Sequence, residues 1–217
     1  MTKRGSSNKS FQRWWSLKFK ITVTEGQRPE WHVDTLLAYE VIRPALNLHY
    51  DKLGLWRFHR RNKDDEAGRQ FSFMFYGERR QARDIFNHIK TNALLKRLKS
   101  KRIIERVAYD DLRKRQNTAI KALSDSQWPE YIQDTWPYYI KGVSEMWLKL
   151  LEKLITNIQP KPTGGDLQEL IDYYGAVNDV VNGLWQQHGG HSFLHHLHAV
   201  ISWELVKVDP RMQFQIF

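Results

Sequence analysis

Five histidines fall within eleven residues near the end of the chain: His188, His191, His195, His196 and His198, in the run HGGHSFLHHLHAVISWELV. Imidazole is the side chain whose ordinary titration lies nearest neutral pH, so this run concentrates groups able to move protons or hold a ligand. On an α-helix His191, His195 and His198 stand at i, i+4 and i+7 and share a face, while His196 points elsewhere. Three imidazoles on one face also suit zinc. However, the HExxH pattern is missing, and three ligands within two turns of one helix strain a tetrahedral site. The reading adopted is helix packing with one functional histidine and no metal or organic cofactor. The chain has no cysteine, which removes thiol chemistry, disulfides and cysteine-ligated zinc.

The second group able to do chemistry is cationic. Arg57, Arg60, Arg61 and Arg69 cluster around a predicted hairpin, where strand alternation puts Arg57 and Arg61 on one face and Arg60 on the other. A further basic run, Arg79, Arg80, Arg83, Lys90, Lys96, Arg97, Lys99, Lys101 and Arg102, suits the phosphates of a nucleic acid. A solvated helix face explains that run more simply. With 34 Lys+Arg against 24 Asp+Glu, the net charge is +10 and the favoured partner is acidic: a nucleic acid, an anionic surface or an acidic peptide. Phosphate-loop, dinucleotide and nucleophile-elbow motifs are absent.

Elements must position these groups, and the pattern supplies them. The 217 residues, 41% hydrophobic and 13% aromatic with nine tryptophans, suffice for one large core. Trp15 to Val23 alternates as a half-buried strand. A helix over WHVDTLLAYEVIRPALNLHY follows, with Val33, Leu36, Leu37, Val41 and Ile42 as its stripe and Pro44 as a kink or interruption. Leu55–His59 and Gln70–Tyr76 form a hairpin with Phe71, Phe73 and Phe75 on one face. A long helix from Arg79 to Leu98, with Ile85, Phe86, Ile89, Leu94 and Leu98 apolar, leads to a fourth strand, Ile103 to Tyr109. The order β-α-β-β-α-β is the split arrangement of ferredoxin-like domains.

The remainder is expected to be helical. Pro137 kinks or breaks the first of its helices, the Gln159–Gly165 stretch is a loop, a helix covers about Asp166 to Gln187, and a short strand lies near Glu204 to Val208. This makes an α+β protein: a loose basic tail over 1–10, then one domain over 11–217 with a sheet half (11–110), a helical half (111–217) and a functional cleft between them. No apolar run is long enough to span a bilayer and no signal-peptide core follows the N-terminus, so no membrane association is expected and the address is read as cytoplasmic. Nothing in the pattern sets an oligomeric state.

Several segments resemble the C-terminal elimination domain of lantibiotic dehydratases, also known free-standing as the thiopeptide-type bacteriocin biosynthesis domain. The resemblance rests on Trp15-Ser-Leu-Lys-Phe, Val41-Ile-Arg-Pro-Ala-Leu46, Leu55-Trp-Arg-Phe-His-Arg-Arg61, Gln70-Phe-Ser-Phe-Met-Phe75 and Phe193-Leu-His-His-Leu-His198. It implies maturation of a ribosomally synthesised precursor peptide with a leader. A separate glutamyl-tRNA-dependent protein would glutamylate Ser or Thr, and this chain, as a lyase, would eliminate glutamate to leave a dehydroamino acid. Catalysis would fall to His196, His198, Arg57 and Arg61, and substrate binding to Arg60, Arg69, Ser72, His191 and His195. Ser72 and Met74 stand where the family carries two arginines. That departure suits a related activity, the formal [4+2] cyclisation of two dehydroalanines by pyridine synthases, or a non-catalytic module that grips a peptide or RNA.

Overall fold

The computed structural model describes residues 11–23, 31–62, 68–114, 117–157, 160–163 and 165–201. It is a mixed α/β protein, and the chain divides into two compact units, Met1–Asn178 and Asp179–Phe217. The expected N-terminal tail, most of the hairpin loop and the expected strand near 204–208 lie outside the described residues.

In the first unit, strands β1 (Gln12–Ile21), β2 (Leu55–Arg61), β3 (Gln70–Glu78) and β4 (Ile104–Tyr109) form one sheet in the order β2-β3-β1-β4. Every neighbouring pair is antiparallel. Alternation sorts the side chains onto two faces. Trp15, Leu17 and Phe19 of β1 sit opposite Phe75, Phe73 and Phe71 of β3, and Trp56 and Phe58 of β2 join them. All eight are buried, so this is the core face. Helices α1 (His32–Leu36) and α2 (Arg43–Asn47), with α3 (Arg79–Thr91) and α4 (Ala93–Ser100), supply the other apolar layer through Val33, Leu36, Val41, Ile42, Ile85, Phe86 and Leu98.

Two prolines alter the helices in ways the pattern did not resolve. Around Pro44 the helix stays unbroken but widens into a π turn over Leu37–Ile42 before α2. Proline has no N–H to offer the carbonyl four residues back, that of Glu40; Asn92 Nδ2 donates to it instead, at 3.4 Å. Asn92 also ends α3: its Oδ1 accepts from Leu95 N at 2.9 Å and caps α4. The expected single helix from Arg79 to Leu98 is therefore two. The break shifts the buried position from Leu94 to Leu95.

Helix α5 (Glu130–Asn157) contains Pro137 yet continues as one helix of 28 residues, so the expected break is absent. The carbonyl left without a partner there belongs to Gln133, and Ser124 Oγ donates to it at 2.7 Å. Each proline is thus tolerated because a polar side chain from another segment satisfies the orphaned acceptor. Helix α5 packs along β2, the edge strand. Phe58 N donates to Ser144 Oγ at 3.1 Å, and Ser144 Oγ donates onward to Ile140 O.

Helix α6 (Leu167–Gly189) contains the division at Asn178 and Asp179. The second unit continues through a π turn (Gly190–His195) into α7 (His196–Ile201). Among the described residues no helix is long and apolar enough to cross a membrane.

Candidate functional site

The sheet face opposite the core gathers cations. Strand register places its side chains on three successive rungs. Arg57 lies opposite Met74, which lies opposite Ser16. His59 lies opposite Ser72, which lies opposite Lys18, with Ala108 beyond. Arg61 lies opposite Gln70, which lies opposite Lys20, with Arg106 beyond. One end of the face is closed by Trp14, Leu55, Met74 and Tyr76, packed under Ile120 and Leu123 of a short 3-10 turn. Trp14 Nε1 donates to Ile120 O, and the Tyr76 hydroxyl to Thr118 O, which holds that cover down.

Arg57 stands at the corner where β2, β3 and α5 meet. It is 8% exposed, and its guanidinium lies over the Trp136 ring of α5, 4.5 Å from the centroid. Among the described residues its one hydrogen bond is a long contact to the carbonyl of Phe58, and no carboxylate there pairs with it. Burial alone pushes its pKa down to about 10, with no neighbouring anion to offset the loss of water. A desolvated cation without a counter-ion costs free energy that an incoming anion recovers, and such groups cluster at functional sites.

The other hairpin arginines are engaged differently. Arg60 and Arg69 reach the core side, where Asp34 of α1, fully buried, meets Arg60 Nε at 3.0 Å and Arg69 Nη2 at 2.6 Å. Complete burial holds the Asp34 carboxyl above its ordinary value, and the two guanidiniums offset only part of that rise. Trp31 lies over Arg69, and Trp147 of α5 over Arg60, at 4.1 and 4.5 Å. Arg60 and Arg69, expected to bind substrate, thus form an ion cluster with Asp34 on the face opposite Arg57 and Arg61. Ser72, expected to bind substrate, does share the face of Arg57 and Arg61. It is buried and accepts from Gln70 Nε2 at 2.9 Å.

His59 is not among the residues singled out from the sequence. It sits between Arg57 and Arg61 on one face of β2, half-buried and opposite Ser72. The signal was present in the alternation Arg57-x-His59-x-Arg61, masked by the denser histidine run downstream.

In the second unit that run does not form a plain α-helix. The π turn over Gly190–His195 has more residues per turn, which brings i, i+4 and i+5 together. His191, His195 and His196 accordingly form a cluster with ring centroids 5.4 to 5.5 Å apart. His196 therefore joins the face it was expected to leave. The rings of His191 and His195 lie nearly parallel, 13° apart, and all three histidines are exposed. The side chain of His198 lies outside the described residues. No group of three or more His, Asp or Glu converges as metal ligands among the described residues. The described part of this unit, residues 179–201, contains no lysine or arginine.

Comparison of the chain with protein-family models, curated proteins and solved structures found no match.

Proposed function

We propose that the chain matures a ribosomally made peptide, as a stand-alone lyase of the elimination-domain kind with a ferredoxin-like sheet at its centre. Support for that fold name comes from the strand order β2-β3-β1-β4 with helices after β1 and β3. The observation that carries the function is the buried Arg57 with no described counter-ion, on a face that also holds His59 and Arg61. Elimination needs these three roles. In this reading His59 takes the Cα proton of a glutamylated Ser or Thr, and Arg57 meets the negative charge that develops on the adjoining carbonyl oxygen. The electron pair forms the Cα–Cβ double bond, the Cβ–O bond breaks, and the departing glutamate carboxylate meets Arg61. Burial of Arg57 strengthens its pull on that charge, because little water competes.

The test is mass spectrometry of glutamylated peptides incubated with the protein. Loss of glutamate is expected, with Arg57→Ala and His59→Ala each slowing it by about 100-fold or more. His196→Ala and His198→Ala, the candidates from the sequence, should change it little. If they abolish turnover while His59→Ala retains it, the proton carrier is in the histidine cluster. A second reading, formal [4+2] cyclisation of dehydroalanines, is favoured by the uncharged Ser72 and Met74 at the centre of the face. Water loss with leader release would identify it. No mass change in any peptide would leave a binding module.

A further inference from the structure

A second basic site lies at the other end of the first unit. A cavity of about 560 Å³ opens between the start of α3 and the turn that follows β4. That is within the roughly 300–1,000 Å³ of ordinary ligand pockets. Arg79 and Arg80 line it from the first turn of α3, and Arg113 and Lys114 from the turn. All four are exposed, and none has an ion-pair partner among the described residues. The two basic pairs are held by separate fixed supports. On one side Glu78 and Gln81 form a reciprocal cap that anchors the start of α3. Gly77 leaves room for it, since a Cβ there would meet Gln81 Oε1 at 2.7 Å. The Glu78 carboxylate, the acid of this cavity, is thereby committed to the helix N–H of Gln81.

On the other side Asp111 organises the turn. Its Oδ1 accepts from Arg113 N at 2.8 Å and its carbonyl accepts from Lys114 N at 3.3 Å. The buried Arg13, stacked 3.4 Å over Trp15, donates to that same carbonyl and ties the turn to β1. Between the basic pairs the wall is apolar: Phe11, highly exposed, with Trp15 and Leu112. Cations flanking an apolar floor match an extended segment that alternates acidic and apolar side chains. A nucleotide would instead have a single exposed ring, Phe11, on which to stack its base.

We infer that this cavity binds an acidic peptide segment through the Arg79–Arg80 and Arg113–Lys114 pairs, with one apolar side chain seated against Phe11 and Leu112. That the segment belongs to the precursor, outside the residues modified, rests on the function proposed above. Arg13 and Trp15 point to the core face of β1, whereas Ser16 and Lys18 point to the face of Arg57. Grip and chemistry therefore use opposite sides of one sheet.

The experiment is fluorescence anisotropy of the full chain with a labelled peptide of alternating glutamate and leucine, against alternating lysine and leucine and against labelled oligothymidylate. Binding of the Glu–Leu probe is expected, weakening as salt rises. It should fall by about tenfold or more in Arg79→Glu/Arg113→Glu, a change that touches only exposed side chains. Arg57→Ala should leave it unchanged. Equal binding of the probe by wild type and the double variant overturns the site, as does no binding by wild type. Tight binding of oligothymidylate that the double variant loses, without peptide binding, assigns the cavity to nucleic acid and overturns it too. The elimination assay reads the other proposal separately. An Arg57→Ala chain that binds the probe but no longer modifies peptide sustains both readings. Loss of elimination in Arg57→Ala alongside an unchanged probe titration in the double variant leaves the catalytic reading and removes this one.

Discussion

Arg57 and Arg60 are three residues apart on one strand, and both have lost water to tryptophan rings. Arg60 points to the core, where Asp34 answers it and Arg69 together. Arg57 points the other way and meets an indole, a methionine and no described anion. A folded chain gains little by leaving a cation buried in that manner. The difference teaches how to separate structural from functional arginines. Charge and a tryptophan ring against the guanidinium are common to both; the presence of a built-in counter-ion is what distinguishes them.

The largest expected effect comes from breaking the satisfied member. Asp34→Asn leaves the fully buried Arg69 without its anion and should lower unfolding free energy by about 3–5 kcal/mol, measured by equilibrium denaturation. Removing the unsatisfied member should do the opposite. Arg57→Met keeps the apolar stem and deletes the uncompensated charge, so stability should hold or rise by about 1 kcal/mol while turnover disappears. Clear destabilisation by Arg57→Met would mean that Arg57 is structural after all, and the contrast with Arg60 would fail.

A smaller effect tests anion binding at Arg57 directly. Free glutamate should raise the unfolding free energy of the wild type by about 0.4 kcal/mol at a concentration equal to its Kd, and should do less for Arg57→Met. The smallest is a surface comparison. Glu145 accepts from Lys141 and Tyr50, which hold its carboxyl below the ordinary value of 4.5. A depressed carboxylate contributes stability that is complete above 4.5 and is lost as pH falls through its lower folded value. Glu145→Gln should therefore flatten the acid limb of the stability profile slightly and leave neutral pH nearly unchanged.

Local alternation was enough to read which side chains share a face. Phe71, Phe73 and Phe75 line the core as expected, and Arg57 and Arg61 face away from Arg60. The helical stripe Val33, Leu36, Leu37, Val41 and Ile42 is buried throughout. What alternation cannot carry is the partner of a group. Asp34, the anion that claims Arg60 and Arg69, sits on a different element, and nothing about its position in the chain marks it as their counter-ion. The prolines are similar: whether Pro137 breaks a helix was decided by Ser124, outside the periodic segment. The face of His196 differs from its helical expectation for another reason. A 3.6-residue period was assumed where the backbone takes a wider turn, and one residue of slip moves His196 across the helix.

Ser144 has a consequence for how the sheet can grow. Its hydroxyl occupies the outward N–H of Phe58, on the strand that ends one side of the sheet. An incoming extended chain would have to displace a 28-residue helix before it found a free backbone donor at that position. Strand addition is therefore disfavoured along β2, and the opposite border, β4, carries the charged pair Glu105 and Arg106, which discourages neighbours by keeping water close. In a chain with ten phenylalanines and nine tryptophans, that guards against edge-to-edge aggregation while the aromatic core assembles.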